Sequence, residues 1–135
     1  MITALLLLAS ALAAGEWVPL EVIATAYDPC RICCGTRAQG ITADGTRTRD
    51  ESYGIAADPR SLASGTIVWI PTGVGYLDRQ FPGDAQRQFR VDDTGGAIIR
   101  NTRETGIVHL DLRFIHHRNA VRFGRKRITV YIWKD

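Results

Sequence analysis

An unbroken alternation of side chains between Ile107 and Phe114 constrains the fold of this chain more than any other feature. From Val108 onward every second residue is apolar. The residues between them are His109, Asp111 and Arg113. Because successive side chains of a β-strand point to opposite faces, this pattern predicts a half-buried strand with one apolar face and one polar face.

A second carboxylate precedes this strand, in the segment Asp93-Thr94-Gly95-Gly96. The two glycines predict a tight turn that presents the side chain of Asp93. Two carboxylates held by β-structure suit acid–base chemistry on a glycosidic or peptide bond. A turn-forming aspartate and a solvated strand face would explain the same residues without chemistry, and the two segments alone leave both interpretations open.

The 135 residues suffice for one domain, and 13 glycines between short apolar runs are typical of a β-rich chain with many turns. Further strands are predicted at 20–27, 66–70, 88–92 and 127–133, and one short helix at 115–123. Residues 73–86 are predicted to form an excursion anchored by Tyr76 and Phe81. We therefore expect an all-β fold, a small six-stranded barrel with one short helix and without internal repeats.

The N-terminus is almost wholly apolar from Ile2 to Ala14 and contains the small-x-small pattern Ala11-Leu12-Ala13. Such a run is shorter than the roughly 20 residues that span a bilayer, so residues 1–14 are predicted to be a signal peptide or an N-terminal hydrophobic segment. The expected domain is residues 16–135. The expected location is the periplasm, the cell wall or the extracellular space, with peripheral or no membrane contact.

Three cysteines, Cys30, Cys33 and Cys34, form a C-x-x-C-C cluster. In an exported protein the cluster predicts a disulfide from Cys30 to Cys33 or Cys34, which leaves one thiol free. A metal site would need a fourth ligand such as Asp28, and reduced core thiols are a third interpretation. We expect no metal ion and no cofactor.

The net charge of +3 is modest, and the basic residues are scattered apart from a cluster at 122–127. This cluster would attract an anionic wall polymer, or it is a solvated terminal face. The sequence has no zinc-finger spacing, aromatic RNA-binding pattern or phosphate-binding loop. We therefore expect a monomer without a nucleic-acid partner.

A series of short motifs runs through nearly all of the chain, from Val22 to Ile132. They are Thr25-Ala-Tyr27, Cys33-Cys-Gly35, Gly40-Ile-Thr-Ala-Asp-Gly-Thr46, Ala57-Asp-Pro-Arg60, Gly65-Thr66, Asp93-Thr-Gly-Gly-Ala-Ile98, Leu110-Asp-Leu112 and the spaced set His117, Ala120, Phe123, Gly124 and Arg125. In this order they resemble the 3D (three-aspartate) domain, which is similar to the catalytic barrel of membrane-bound lytic transglycosylase A and of muralytic stationary-phase survival proteins. The resemblance implies a double-psi β-barrel that acts on peptidoglycan.

The resemblance places the family's three aspartates at Asp58, Asp93 and Asp111, which are the candidate catalytic residues. It implies that Asp111 is the catalytic acid, that Asp93 is its close partner, and that Asp58 holds the barrel together. The candidate substrate-binding residues are Tyr27, Thr42, Asp92 and His109. The stretch between Asp93 and Asp111 is longer than is usual in the family, and we attribute the difference to a loop widened by residues 100–105.

The implied activity is that of a lytic transglycosylase, which cleaves the MurNAc–GlcNAc β-1,4 bond without water and closes a 1,6-anhydro ring. The implied partner is the glycan strand of peptidoglycan. An aspartate with its ordinary pKa of about 3.9 is ionised at neutral pH, so an acid needs burial or a nearby like charge. We therefore expect Asp93 and Asp111 to titrate as a coupled pair.

Three other functions fit parts of the sequence. A non-catalytic barrel of the expansin or rare-lipoprotein-A kind would bind wall glycans in the same groove. A barrel resembling endoglucanase V would hydrolyse a β-1,4-glycoside. Asp93-Thr94-Gly95 is also the aspartic-protease triplet, but those proteases have an apolar residue where this chain has Asp92.

Overall fold

The computed structural model describes residues 15–28, 53–81 and 87–135 of the chain. The strands are β1 (Glu16–Tyr27), β2 (Gly54–Ala56), β3 (Ile67–Trp69), β4 (Gln88–Asp93), β5 (Val108–Arg113) and β6 (Lys126–Lys134). The helices are α1 (Leu77–Gln80), α2 (Gly96–Thr105) and α3 (His117–Phe123). The described residues thus form three helices, so the prediction of one short helix is wrong, although the predicted helix at 115–123 is present as α3.

The six strands form one sheet in the order β1-β5-β2-β4-β3-β6, and β6 pairs again with β1, so the sheet closes on itself as a barrel. The pairs β1/β5 and β2/β4 are parallel, and the other pairs are antiparallel. The prediction of a β-rich chain with six strands is confirmed. β1 begins four residues earlier than its alternation predicted, because Glu16 to Pro19 also pair with β6.

The core lies inside the closed sheet and is formed by alternate residues of the strands. Its fully buried members include Val22, Ala24, Ile55, Val68, Phe89, Leu110, Leu112 and Val130. Phe123 of α3 packs edge-on against Phe114 with ring centroids 5.4 Å apart, which fixes α3 against the end of β5. The apolar face predicted for β5 is therefore confirmed as part of the core.

Residues 100–105 belong to a helix and not to a widened loop. Ile98 and Thr102, one turn apart on α2, are both buried, so this side of the helix faces the protein. Gly106 ends α2 with a left-handed φ of 72°, and its N–H donates to the carbonyl of Thr102 at 3.0 Å. A glycine in this position is a common helix terminator. The extra length between the two candidate carboxylates is thus a structured element.

Two of the three polar side chains of β5 are also buried, which corrects the prediction of a half-buried strand. His109 is 2% exposed and Arg113 is 1% exposed. The backbone N–H of His109 donates to Thr102 Oγ1 of α2 at 3.1 Å. Arg113 is buried because it pairs with a carboxylate of β4. The polar side chains of β5 alternate with the apolar ones as predicted, but other elements of the fold cover His109 and Arg113.

In the described part of the excursion after β3, an ion pair with a buried arginine and two buried apolar residues hold the chain against the barrel. Arg87 Nη2 lies 2.6 Å from Asp78 Oδ1, and Arg87 Nε donates to the carbonyl of Ile70 at 2.9 Å. Leu77 and Phe81 are buried, whereas the other predicted anchor, Tyr76, is half-buried. This arginine–aspartate pair joins α1 to the start of β4.

Several predictions fall outside the described residues, namely the segment 1–14, the cysteines Cys30, Cys33 and Cys34, and Thr42. Within the ranges that the structure describes, no helix has the length and apolarity needed to cross a membrane. Within the same ranges, no three side chains of His, Cys, Asp or Glu are grouped so that they could hold a metal ion.

Candidate functional site

The two candidate carboxylates share one row across the sheet. Thr25 of β1 is the register partner of Asp111 on β5. Ala56 of β2 pairs with Asp111 on one side and with Asp93 of β4 on the other. Register partners in a sheet carry their side chains on the same face, and neighbouring strands lie about 5 Å apart. In this row, the small side chain of Ala56 therefore lies between those of Asp111 and Asp93.

A β-bulge gives β4 two adjacent carboxylates at this site. Ile55 pairs with Val91 but the next residue, Ala56, pairs with Asp93, so Asp92 is the extra residue. A bulge breaks the alternation of a strand and re-aims a side chain. As a result Asp92 and Asp93 both reach side chains that project from β1 and β5, although they are neighbours in sequence.

Asp111 lies in an environment that favours its protonated form. Thr25 Oγ1 donates to Asp111 Oδ1 at 3.0 Å. Burial raises the pKa of Asp111 to about 6; the hydrogen bond from Thr25 opposes this rise, and the charge of Asp93 adds to it. An acid with this pKa keeps a usable fraction of its protons near neutral pH, as general acid catalysis requires.

Tyr27 bridges the other carboxylate to a buried arginine. Its hydroxyl donates to Asp93 Oδ2 at 3.0 Å and accepts from Arg113 Nη1 at 3.4 Å. Arg113 also donates to both carboxylate oxygens of Asp92, from Nη1 at 2.9 Å and from Nη2 at 2.7 Å. Burial raises the pKa of Tyr27 above its ordinary value, so the hydroxyl remains a donor at neutral pH. The structure thus brings Tyr27 and Asp92, both predicted substrate-binding residues, to the side of Asp93.

Gly54 provides the space for this arginine. A Cβ atom at Gly54 would lie 1.8 Å from Arg113 Nη2 and 2.2 Å from its Cζ. The guanidinium therefore passes directly over the backbone of β2. Both Gly54 and Arg113 were missed as site residues, since the pairing of β2 with β5 joins segments that are far apart in sequence.

Asp58 lies in the turn after β2 and is held by two arginine residues. Its Oδ1 accepts from the backbone N–H of Arg60 at 3.1 Å, and its Oδ2 accepts from Arg103 Nε of α2 at 3.1 Å. The hydrogen bond from Arg60 and then that from Arg103 hold the pKa of Asp58 below its ordinary value. An ionised carboxylate with both oxygens engaged in this way joins the turn to α2.

The predicted histidines lie outside the row of Asp111 and Asp93. His109 is buried, and its Nδ1 lies 2.9 Å from the carbonyl oxygen of Ile107, which is a contact for an N–H donor. Its assignment to substrate binding stays a prediction. His117 Nδ1 lies 2.8 Å from Asp28 Oδ1, and this contact ties α3 to the end of β1.

A cavity of about 160 Å³ opens beside Asp93. Pro59, Ser64 and Thr94 are among its lining residues, together with Asp92 and Asp93. Asp111 does not line it, so the cavity extends the site on the Asp93 side.

Comparisons with known proteins bear on the family of the chain. The family model of the 3D domain matches residues 53–134. Among solved structures, the crystal structure of MltA from E. coli is similar, with a TM-score of 0.46 and 20% sequence identity. The match covers 73% of this chain and only 28% of the MltA chain. No curated protein matches the chain.

Proposed function

This chain belongs to the 3D domain family, and we propose that it is a lytic transglycosylase-like enzyme that cleaves the MurNAc–GlcNAc β-1,4 bond of peptidoglycan. The observation that carries the proposal is the environment of Asp111. Its carboxyl group is largely buried, has a pKa of about 6, and shares a sheet row with Asp93. One carboxyl group with this pKa suits a reaction in which the same group first gives and then takes a proton.

Asp111 acts as acid and then as base in this mechanism. Its proton passes to the bridging glycosidic oxygen as the bond from that oxygen to C1 of MurNAc breaks. The C6 hydroxyl of the same MurNAc then attacks C1 and gives its proton to the Asp111 carboxylate, which closes the 1,6-anhydro ring and restores the acid. With a pKa of about 6, roughly a tenth of the molecules hold the proton at pH 7. Thr25 fixes the orientation of the carboxyl group through its hydrogen bond to Oδ1.

Asp93 supports this cycle through its charge. Because a nearby negative charge disfavours ionisation of Asp111, replacing Asp93 by Asn is expected to lower the pKa of Asp111. Activity of Asp93→Asn should then fall at neutral pH and return in part under acidic conditions. An unchanged pH profile would mean that Asp93 only stabilises the backbone of the segment that follows β4 and does not affect the pKa of Asp111.

The decisive experiment is a mass spectrum of purified peptidoglycan digested by the purified protein. Anhydro-muropeptides are expected from the wild type, and Asp111→Asn should lose about 10²–10⁴-fold in rate because its amide cannot donate the proton. Glu21→Gln is the matched control, since Glu21 is an exposed carboxylate on β1 that pairs with Arg127 outside the site. Full activity in folded Asp111→Asn would contradict the proposal. Reducing ends would favour hydrolysis, and binding without cleavage would favour the wall-binding barrel.

Two further points belong to the same proposal. We propose that the closed sheet is a double-psi barrel, which the family membership and the two parallel pairs, β1/β5 and β2/β4, support. An experimental structure would test it through the path of the connections between these strands.

We also propose that the chain is exported, because its substrate lies outside the cytoplasm and residues 1–14 have the composition of a signal peptide. The mass of the mature protein would test this cleavage.

A further inference from the structure

Two buried arginine side chains in the described part of the chain each pair with an aspartate, and they differ in their other contacts. Arg87 pairs with Asp78 and donates its other hydrogen bonds to backbone carbonyls, as a structural clamp would. Arg113 pairs with Asp92, and its Nη1 also contacts the hydroxyl of Tyr27. The second pair therefore extends into the candidate site.

We propose that Arg113 and Tyr27 are positioning residues: Arg113, anchored by Asp92, orients the Tyr27 hydroxyl, which holds the Asp93 carboxylate toward Asp111. This proposal deepens the proposed function and rests on it for its catalytic meaning. Its geometry is independent of any activity. It assigns to Tyr27 a part in setting the charge of the site, in place of the predicted contact with a sugar.

The direction of each hydrogen bond follows from the donor inventory of the side chains. An arginine has no acceptor, so the oxygen of Tyr27 must accept from Arg113 Nη1. The single hydrogen of the hydroxyl then remains for Asp93 Oδ2, 3.0 Å away. A hydroxyl free to rotate would donate elsewhere for part of the time, whereas the guanidinium charge at 3.4 Å disfavours that rotation.

Arg113 itself is held rigidly. Both terminal nitrogens bind the carboxylate of Asp92, and planar two-point pairing of this kind fixes a guanidinium more firmly than a single contact. Arg113 is 1% exposed and Asp92 is 1% exposed, so water does not compete for these bonds. The hydrogen-bonded chain from Asp92 through Arg113 and Tyr27 to Asp93 is therefore fixed at Asp92, the bulged residue of β4.

The result at Asp111 is electrostatic. A hydrogen bond donated to Asp93 stabilises its negative charge and keeps it oriented, and that charge raises the pKa of Asp111. The titratable or charged groups that adjoin Asp111 in the described sheet are Asp92 and Asp93 on β4, Tyr27 on β1, and His109 and Arg113 on β5. Arg103 of α2, which packs on β5, is engaged with Asp58.

The test compares Tyr27→Phe and Arg113→Lys with Arg87→Lys. Arg87→Lys is the matched control because it alters a buried arginine that pairs with an aspartate, and Arg87 is not among the partners of the Tyr27 hydroxyl. The first readout is the pKa of the Asp111 carboxyl group, followed by carbon NMR across the pH range. The second readout is the pH profile of kcat for glycan cleavage.

Tyr27→Phe and Arg113→Lys are each expected to lower the pKa of Asp111 by a fraction of a unit, because burial contributes more to its raised pKa than the charge of Asp93 does. The protonated fraction at pH 7 then falls, and kcat should fall up to a few-fold with it. KM should change less than kcat. Arg87→Lys should lose stability but leave the pKa of Asp111 where it was. Tyr27→Phe retains the ring, so it keeps the test decisive if Arg113→Lys does not fold.

An Asp111 pKa that is unchanged in folded Tyr27→Phe would overturn the proposal. An equal change in Arg87→Lys would overturn it too, because the effect would then come from general loosening of the barrel. If the wild type cleaves no glycan, the proposed function fails. The NMR titration still decides whether Arg113 and Tyr27 act on Asp111 through Asp93.

Discussion

Replacing Asp111 by Asn should make the protein more stable while it removes activity. The pKa of Asp111 is 3.8 in an unconstrained chain and about 6 in the folded protein. At about 1.36 kcal/mol per pKa unit, this difference corresponds to about 3 kcal/mol of unfavourable free energy when the carboxyl group is ionised. Asn has nearly the same shape, and its amide oxygen can still accept from Thr25.

The sign of the effect fixes its pH dependence. Below about pH 3.8 the carboxyl group is protonated in both the folded and the unfolded chain, so it does not oppose folding. Between about pH 3.8 and about 6 the unfolded chain loses this proton while the folded protein keeps it, so stability falls; above about 6 the folded protein holds the buried charge and the loss is complete. Asp111→Asn should therefore gain up to about 3 kcal/mol of unfolding free energy at neutral pH, and almost none near pH 3.8.

Thermal unfolding of the wild type and of Asp111→Asn, followed by circular dichroism at neutral pH and near pH 3.8, would measure this gain in stability. A gain of about 3 kcal/mol corresponds to a rise in Tm of roughly 10 °C for a domain of this size. Glu21→Gln, at an exposed carboxylate, should show no such gain. A gain in Asp111→Asn that is equal at both pH values, or a loss at neutral pH, would refute the reasoning, because the stabilisation must follow the titration of one buried acid.

Three other outcomes follow from the structure. Gly54→Ala should lower the free energy of unfolding, measured with denaturant, by about 3–5 kcal/mol, because its Cβ displaces the guanidinium of Arg113 from its buried partner. Gly95→Ala places its Cβ in open space and should cost far less, so equal losses in the two variants would contradict this. Gly106→Ala should cost about 1–2 kcal/mol because the residue has a left-handed φ, and a neutral effect would mean that α2 ends differently. Binding to acidic wall polymers, measured by co-sedimentation, should weaken as salt rises from about 0.05 to about 0.5 M if the exposed basic cluster 122–127 makes the contact, and salt-independent binding would exclude that cluster.

Local patterns in the sequence predicted the elements whose causes are local. The alternation in β5 and β6 identified both strands, since a strand in a closed barrel must bury every second residue. α2 was missed because Asp93-Thr94-Gly95-Gly96 has turn-forming residues. Ile98 and Thr102 lie at helical spacing with Gly106 after them, and this sequence pattern is the signal that would have revealed α2.

The candidate site was predictable in its carboxylates but not in their neighbours. Asp93 and Asp111 belong to motifs that can be recognised along the chain, and the sheet register brings both next to Ala56. The bulge at Asp92 and the position of Arg113 over β2 depend on which strands pair, which no local pattern contains. Thr25 had a usable signal, since it lies two residues before Tyr27 and so on the same face of β1.

The position of β1 in the sheet has a consequence for how the protein is made. β1 is the first of the described strands to be synthesised, yet its two neighbours, β5 and β6, are the last. A growing chain therefore carries β1 unpaired until β5 and β6 have been synthesised, and unpaired strands pair readily with other chains. Because β1 supplies Thr25 and Tyr27, the environment that raises the pKa of Asp111 forms only after β1 has paired with β5. Contacts between residues so far apart in sequence make folding slow.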